Sequence, residues 1–308
     1  MQFRPMEKLT SKRWFPFLVM FLAPAFFSTN LIFGRFIAND VNAFVLAFLR
    51  WSAVALILFP LAYASEGKKI IAIIRAHWRF FIFLSFLGMG ISGSGVYLGL
   101  QLTTATNATL IYSTSPILII LLERVFASRK SNLREIIGIL LALIGVFAIV
   151  LQGNLATLTT MSFNVGDILI LLAALSWAGY SILYRSKFLS GLTSVGLFGV
   201  IALFGAIINL PMAAYELASG AHLPDTQSAW LALLGIITLS TLLAFSAYQF
   251  GIRALGASVA GLFMYLMTPY GVITGCCVFR RTIAQFSYYR NYLCDGWHSL
   301  CHLPSIFN

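Results

Sequence analysis

The chain has 308 residues, of which 60% are hydrophobic and only 9% are charged. Soluble domains carry roughly a quarter charged residues, so this composition excludes an ordinary soluble protein and predicts a polytopic membrane protein. The net charge of +11 does not indicate a nucleic-acid partner, because the basic residues lie in short clusters between apolar runs, as in the cytoplasmic loops of membrane proteins.

Nine apolar runs are long enough to cross a bilayer, which takes about 20 helical residues. The runs are continuous rather than alternating, which predicts helices and not the strands of a barrel. In chain order, the predicted spans are approximately 14–34, 42–63, 80–101, 104–126, 136–151, 166–185, 192–213, 229–250 and 257–279.

Lysine and arginine are concentrated in alternate loops. Four precede the first span, four lie between the second and third spans, and three lie between the fourth and fifth. The intervening loops "LTTAT" and "QGNLATLTTMSFN" contain none. The positive-inside rule therefore predicts a multi-pass protein of the inner (plasma) membrane with a cytoplasmic N-terminus, and the lipid bilayer as one partner.

Two pairs of segments are similar and recur in the same order. "APAFFSTNLIFGRFI" is similar to "LAALSWAGYSILYRSK", with Arg35 opposite Arg185. "ATNATLIYSTSP", which ends at Pro116, is similar to "GASVAGLFMYLMTP", which ends at Pro269. Chance similarity between apolar segments is the alternative explanation, but it accounts less well for two matches in the same order.

Five spans separate the two copies, and an odd number means that the second copy inserts upside down. We therefore expect an all-α membrane protein of ten helices in two inverted five-helix repeats, residues 14–151 and 165–308. In transporters with inverted repeats, the substrate site lies between the repeats near the middle of the membrane.

The residues after about Val272 do not fit this plan. A tenth span is required, but Arg290, Asp295, His298 and His302 interrupt the final stretch. Codons can be chosen that encode the printed "FSYYRNYLCDGWHSLCHLP". When the same bases are translated one base later, they encode FHIIGIIFVMGGIHFATF, which is an apolar helix. This pattern suggests a frameshift near Val272, after which the tenth helix is lost or replaced by residues of another reading frame. A genuine divergent tail is the alternative.

The ordered helices resemble the drug/metabolite transporter superfamily, specifically the EamA-type permeases, over residues 14 to 272. The resemblance lies in "AFFSTNLIFGR", "FLRWSAVALILFP", "ATNATLIYSTSPILIILLERVF", "GDILILLAALSWAGYSILYR" and "GASVAGLFMYLMTPYGV". The Gly-Glu that often follows the fourth family helix is Ser128-Arg129 here. The resemblance implies a permease that moves a small organic metabolite, amino acid-like or drug-like, by alternating access. A non-functional frameshifted remnant is the alternative, and the fold does not identify the substrate.

Arg50 is the first candidate for substrate contact, because an unpaired cation within a span costs several kcal/mol, roughly 3 or more. It could meet a substrate carboxylate or phosphate, and the alternatives are hydrogen bonds to helix-end carbonyls or snorkelling. Other polar and aromatic side chains within the spans could line a cavity, with interhelical packing or an interfacial belt as the alternative for each. These candidates are Asn30, Tyr97, Gln101, Asn107, Tyr112, Trp177, Tyr180, Tyr248, Gln249 and Tyr265.

Backbone features within the spans suggest bends and close contacts. Pro116 and Pro269 each free a backbone carbonyl, so we expect bent helices and a gating role at both. Gly95 and Gly99 form a GxxxG pair, which is typical of closely packed helices. Asp167, at the start of the sixth span, is expected to cap that helix.

Enzyme and metal-site motifs are missing from the sequence. It contains no catalytic triad and no phosphate-binding loop, and all four cysteines lie after Val272. We therefore expect a protein that is not an enzyme and that binds no cofactor and no metal. The expected partners are a small-molecule substrate and the bilayer, and a homodimer is left open.

Overall fold

The computed structural model describes residues 14–37, 40–126, 133–151, 163–189, 191–271 and 273. These residues form helices and short connections, with no strand in the parts described. The first half contains α1 (Phe15–Ile37), α2 (Ala43–Glu66), α3 (Lys68–Ser85), π1 (Phe86–Ser94), α4 (Gly95–Leu102), α5 (Ala105–Tyr112), α6 (Ser115–Phe126) and α7 (Leu133–Val150). The second contains α8 (Val165–Leu183), α9 (Ser194–Ala218), α10 (Gln227–Gly235), π2 (Ile236–Leu243), α11 (Ala244–Leu255) and α12 (Ala257–Phe263), with 3₁₀ turns at Lys187–Leu189 and Met264–Leu266.

The all-helical membrane architecture predicted from the sequence is confirmed, although the number of spans is not. Seven helices within the described ranges are long and apolar enough to cross a membrane. The fifth predicted span is a shorter apolar helix, Ile136–Val150, and the ninth is described only as far as residue 273. The side chain of Arg35, the suspected frameshift and the expected tenth helix lie outside the described residues.

The third predicted span differs from the structure at its start. We predicted residues 80–101, whereas α3, π1 and α4 form one continuous element from Lys68 to Leu102. The backbone leaves helical geometry at His77, where φ is −129° and ψ is 24°. The prediction was wrong because it counted only the uninterrupted apolar run. The part of α3 that precedes the predicted span begins with Lys68 and Lys69 and buries Ile70. Such an amphipathic segment is typical of a membrane surface.

Helices from one half pack antiparallel against helices from the other at the centre of the bundle. Along α2 and α9, Gly199 contacts Leu58, whereas Gly205, further along α9, faces Trp51, which precedes Leu58 on α2. The two helices therefore run in opposite directions. The absence of a side chain at Gly199, where a Cβ atom would lie 3.1 Å from the backbone of Leu58, allows this close approach.

Two further antiparallel pairs surround the α2–α9 pair. In one, α1 lies along α10, π2 and α11, with Phe33 against Gly235 and Met20 against Gly251. In the other, α8 lies along π1 and α4, where Gly99 packs on Ile170 and Leu87 lies near Gly179. The first helix of each half thus contacts the third helical element of the other half.

The third helical element of each half contains a π-helical segment at a similar position. In both segments a side-chain hydroxyl donates to a carbonyl five residues earlier. Ser94 Oγ donates to Met89 O at 3.4 Å, and Thr241 Oγ1 donates to Ile236 O at 2.8 Å. Because π-helical geometry loosens the regular ladder, such hydroxyls help satisfy backbone carbonyls within the bundle.

Interruptions of the regular helix lie just before Pro116 and Pro269, where the sequence predicts bends. The helix is interrupted between α5 and α6 at Ser113 and Thr114, two residues before Pro116. A 3₁₀ turn, Met264–Leu266, precedes Pro269 by three residues. Proline lacks the N–H that would continue the regular ladder, which accounts for both breaks. Their role in gating stays a prediction.

Basic side chains lie at one end of the bundle. Contacts between Glu66 and Thr193 and between Arg253 and Ser194 bring the ends of α2 and α11 to the start of α9. We name this the basic end, after Lys68, Lys69, Arg185, Lys187 and Arg253. We name the other end of the bundle, which includes Asp167 and Glu216, the opposite end.

Two glutamates bind the starts of α2 and α9 reciprocally. At the opposite end, Glu216 near the end of α9 accepts hydrogen bonds from the backbone N–H groups of Phe44, at 3.0 Å, and Val45, at 2.9 Å. At the basic end, Glu66 at the end of α2 accepts from the N–H of Thr193 at 3.1 Å. Each carboxylate satisfies N–H groups that have no intrahelical acceptor and lies at the positive end of a helix dipole.

Replacing Glu216 with alanine is expected to destabilise the protein by about 1–2 kcal/mol, because two helix-terminal donors lose their acceptor. Thermal unfolding of the detergent-solubilised protein would measure this as a fall of a few degrees in Tm. Asp225→Ala is the matched control, since Asp225 is exposed in the connection between α9 and α10. Equal Tm values for the two variants would contradict the proposed capping role.

Candidate functional site

Arg50 lies inside the bundle with neutral partners. Its side chain is 5% exposed, and it follows the first residue of α2 by seven residues, or about 10 Å of helix. Nη1 donates to Asn30 Oδ1 at 3.4 Å and to the Tyr97 hydroxyl at 3.2 Å. The predicted candidates Arg50, Asn30 and Tyr97 are therefore brought together, but the groups that bind the guanidinium do not neutralise its charge.

Asn30 links this group to the second half of the chain. Its Oδ1 also accepts from the Tyr97 hydroxyl at 3.0 Å and lies 3.4 Å from Ser240 Oγ. Asn30 belongs to α1, Arg50 to α2, Tyr97 to α4 and Ser240 to π2. The polar group therefore lies where helices of both halves meet. We name these four residues the Arg50 site.

Two aromatic rings that contact each other, with centroids 5.1 Å apart, lie beside the guanidinium. Its Cζ atom lies 4.5 Å from the ring centroid of Trp51 and 5.5 Å from that of Phe245. Both distances are within the range of cation–π attraction. Arg50 Nε and Trp51 Nε1 are buried and have no acceptor among the described residues. Each unsatisfied donor costs about 1–3 kcal/mol, so a ligand that supplies acceptor oxygens would be stabilised here.

A second group of predicted candidates forms a packed aromatic cluster. Trp177 stacks on Tyr180 with ring centroids 5.5 Å apart and on Tyr248 at 5.0 Å. Phe245 packs edge-on against Trp177 at 5.7 Å and contacts Phe27 at 5.1 Å. These five side chains, which we name the aromatic cluster, are almost completely buried. Phe245 joins the cluster to the Arg50 site.

Hydrogen bonds hold the cluster on its side towards the basic end. The Tyr184 hydroxyl donates to Gln249 Oε1 at 3.0 Å, and Gln249 Nε2 donates to the Tyr180 hydroxyl at 2.8 Å. Ser181 Oγ and the Tyr248 hydroxyl are 2.9 Å apart. Trp177, Tyr180 and Tyr184 are spaced by three and four residues and therefore share one face of the helix. These bonds connect α8 with α11.

Two residues of the Arg50 site are more exposed than the aromatic cluster, although Arg50 and Ser240 are themselves buried. Asn30 and Tyr97 are partly exposed. Each lies about 8–10 Å along its helix from the terminus that is at the opposite end of the bundle. Trp177 and Tyr180 are closer to the basic end and are only 4% and 0% exposed. The aromatic cluster is thus closely packed between Arg50 and the basic end.

Three of the remaining candidates, Gln101, Asn107 and Tyr265, lie away from Arg50, whereas Tyr112 is near enough to interact with it electrostatically. Gln101 is exposed near the end of α4. Asn107 donates to Asp167 at 3.4 Å, and the Tyr112 hydroxyl is 3.1 Å from Ser92 Oγ. Tyr265 packs with residues of α6 and α7 in a separate small core. The structure does not place Gln101, Asn107 or Tyr265 against Arg50.

The predicted capping role of Asp167 is confirmed. Its carboxylate accepts from the N–H of Asn164 at 2.9 Å, while Asn164 accepts from the N–H of Asp167 at 3.2 Å, forming a capping box. Thr103 Oγ1 also donates to Asp167 at 2.5 Å. Asp167 therefore joins the start of α8 to the end of α4.

Trp51, Phe245 and Ser240 were not among the predicted site residues. Aromatic and hydroxyl side chains are common within apolar helices, and no spacing in the sequence separates these three from packing residues. Trp51 alone had a usable signal, because it follows Arg50 directly. For a metal site, the described portion of the chain contains no group of three suitable side chains.

Known proteins share both the sequence pattern and the fold. The sequence profile of the EamA-like transporter family matches residues 14–151 and 164–288. The chain is 27% identical over 266 residues to "Uncharacterized transporter YetK" of Bacillus subtilis, covering 86% of this chain and 80% of that protein. It is 26% identical over 217 residues to "Uncharacterized transporter YyaM" of the same organism, covering 70% of each.

More distant similarity agrees with this result. An "Uncharacterized transporter" of Archaeoglobus fulgidus is 25% identical over 258 residues, covering 83% of this chain and 86% of that protein. A solved structure described as "Crystal structure of protein" matches with a TM-score of 0.69 over 94% of both chains, and at 17% identity it shows the fold alone.

These matches confirm the predicted resemblance. The profile continues past Val272 to residue 288 and does not favour the frameshifted remnant. The relatives are named as transporters, which fits a protein that is not an enzyme. The chain therefore belongs to the EamA-like transporter family of multi-pass membrane proteins.

Proposed function

We propose that this transporter carries a small organic acid across the inner membrane by alternating access, and that Arg50 binds the carboxylate. The observation that carries the proposal is a buried guanidinium whose hydrogen-bond partners, Asn30 and Tyr97, are neutral. An uncompensated cation within a bilayer is costly, and such residues are typically functional. A carboxylate would neutralise the charge and supply acceptors for Arg50 Nε and Trp51 Nε1.

The alternating-access mechanism is supported by the relationship between the two halves. The first and third helical elements exchange partners between halves, and α2 pairs antiparallel with α9. Equivalent helices running in opposite directions are expected for inverted repeats. The family profile also matches two consecutive ranges that correspond to the proposed halves. In this proposal the halves rock about the Arg50 site.

The basic end faces the cytoplasm in this proposal, in accordance with the positive-inside rule. The partial exposure of Asn30 and Tyr97 and the burial of the aromatic cluster then support a conformation that is closed towards the cytoplasm. Opening on that side requires separation of α8 from α11, which the bond between Gln249 and Tyr180 resists. The helix breaks before Pro116 and Pro269 are the proposed hinges for this movement.

A test of the substrate class compares acids with the amides in which each carboxylate is replaced by an uncharged carboxamide. Purified protein would be unfolded thermally with benzoate or benzamide, succinate or succinamide, and phenylalanine or phenylalaninamide. A ligand at one hundred times its Kd stabilises the folded protein by about 2.7 kcal/mol. We expect at least one acid to raise the Tm and its matched amide to have no effect.

Arg50→Gln provides the control for this measurement, since it removes the charge without removing the polar side chain. The acid-dependent rise in Tm should disappear in this variant. Equal stabilisation by acid and amide, or an undiminished effect of the acid on Arg50→Gln, would contradict a carboxylate site at Arg50.

A further inference from the structure

A cavity lined by two arginines lies at the basic end, beyond the aromatic cluster. It has a volume of about 180 Å³ and is lined by Tyr184, Arg185, Ser186, Leu189 and Arg253. Two of the five lining residues are arginines and none is acidic. We name this cavity the basic-end cavity.

Arg253 is held at this cavity by neutral groups. Nη1 donates to Ser194 Oγ at 3.1 Å, and Nη2 donates to the carbonyl oxygens of Leu192 at 3.2 Å and Leu189 at 3.5 Å. Its Cζ lies 5.7 Å from the ring centroid of Tyr184. These contacts fix the position of the guanidinium without a carboxylate among its partners, and Glu66 at the same end binds the neighbouring Thr193 instead.

Arg185 also lines this cavity, and a glycine leaves room for it. Gly256 has a φ of 96°, which side-chain-bearing residues rarely adopt. A Cβ atom at Gly256 would lie 3.3 Å from Arg185 Nη1. The turn between α11 and α12 therefore leaves room for the guanidinium. Two cations brought together in one small cavity produce a positive potential that attracts anions.

Hydrogen bonds link the lining of the cavity to the aromatic cluster. Tyr184 lines the cavity, and its hydroxyl donates to Gln249, which in turn donates to Tyr180. Tyr180 stacks on Trp177. A ligand in the cavity would thus contact the first member of the hydrogen-bonded chain that holds α8 against α11.

We propose that the basic-end cavity is a second binding site for a small organic anion, which the transported solute occupies on the cytoplasmic side before the aromatic cluster opens. This inference rests on the proposed function for its link to transport, but the binding site can be tested separately. Lipid phosphate shares the chemistry that two arginines recognise, so the experiment distinguishes a soluble acid from a lipid headgroup.

The experiment measures the local potential with charged thiol reagents. In a full-length chain with Cys276, Cys277, Cys294 and Cys301 replaced by serine, Ser186→Cys would be labelled with an anionic methanethiosulfonate sulfonate and with its cationic trimethylammonium counterpart. Phosphatidylcholine nanodiscs would keep the protein in a neutral bilayer. After each rate is divided by that of the same reagent with a small thiol in solution, the anionic reagent should react about tenfold faster than the cationic one, in proportion to the local enrichment of anions. The ratios below are ratios of these normalised rates.

Matched variants relate this preference to the cavity. Arg185→Gln should bring the ratio of the two rates close to one, and Ser228→Cys at the opposite end should show no preference. Millimolar benzoate should slow labelling of Ser186→Cys by the anionic reagent, and benzamide should not. Arg50→Gln should leave the ratio unchanged, so that a failure of this inference is distinguishable from a failure of the Arg50 site.

Three results would overturn the inference. The two reagents could react at equal rates with Ser186→Cys, or Arg185→Gln could leave a preference intact. Benzoate could also give no protection while nanodiscs containing phosphatidylglycerol slow the anionic reagent. That last result would assign the cavity to a lipid headgroup.

Discussion

Replacing Arg50 with glutamine is expected to reduce solute flux by about thirtyfold or more without lowering the yield of folded protein. Removing one member of a buried, charged contact costs at least about 2 kcal/mol, and about 1.4 kcal/mol corresponds to a tenfold change in affinity. The folded state should tolerate the change, because Asn30 and Tyr97 are neutral partners and the desolvation cost of the buried cation is removed.

The measurement is uptake into proteoliposomes of whichever acid raises the Tm of the parent protein. Arg50→Lys provides a second variant, since it retains the charge but loses the planar fork that binds a carboxylate through two donors. Its flux should fall between those of the parent and Arg50→Gln. Arg124→Gln is the control, because Arg124 is exposed on α6. Parental flux in Arg50→Gln would exclude Arg50 from the transport site.

Introducing leucine at Gly166 is expected to prevent stable packing of α8 against α4. A Cβ atom at this position would lie 2.8 Å from the carbonyl oxygen of Gly99 and 2.8 Å from the backbone nitrogen of Thr103. Both are backbone atoms, so the clash cannot be relieved by rotating a side chain. Overpacking typically costs about 1–3 kcal/mol and occasionally more, and we expect the upper part of this range or beyond.

Two other glycines make this a graded series. A Cβ atom at Gly145 on α7 would have no heavy atom of a neighbouring residue within 4 Å, so Gly145→Leu should leave the Tm unchanged. At Gly99, a Cβ atom would meet mainly the side chain of Ile170, at 2.7 Å, so Gly99→Ala should have an intermediate effect. Thermal unfolding and the monodisperse yield after purification measure the order. A Gly166→Leu variant as stable as Gly145→Leu would show that α8 and α4 do not pack closely.

Gly99 also shows how far a sequence motif can be interpreted. The pair Gly95 and Gly99 predicted a close helix contact, and the contact of Gly99 with α8 is confirmed. Its partner on α8 is Gly166, which the motif did not indicate. Gly95 has only atoms of its own helical element nearby, at 4.0 Å. A GxxxG pattern describes one helix surface, whereas the approach depends on the residue that the facing helix presents.

Arg50 was identified from the sequence because a charge within an apolar span is exceptional. Asn30 and Tyr97 were also candidates, but nothing in the sequence distinguished them from Gln101, Asn107 or the other polar groups. Asn30 and Tyr97 contact Arg50 because α1, α2 and α4 meet at the level of these three residues. Ser240 is 210 residues from Asn30 in the chain, and only the packing of the two halves brings them together.

Composition and apolar run length by themselves determined that this chain is a helical membrane protein, because the length needed to cross a bilayer and the need to satisfy backbone groups within each segment are local properties. The family resemblance likewise followed from the order of the helices. Only the tertiary structure decided that Arg50 packs beside Trp51 and Phe245 and that an aromatic cluster fills the bundle between Arg50 and the basic end. Those contacts join distant helices, and their choice depends on side-chain packing between surfaces that are all apolar.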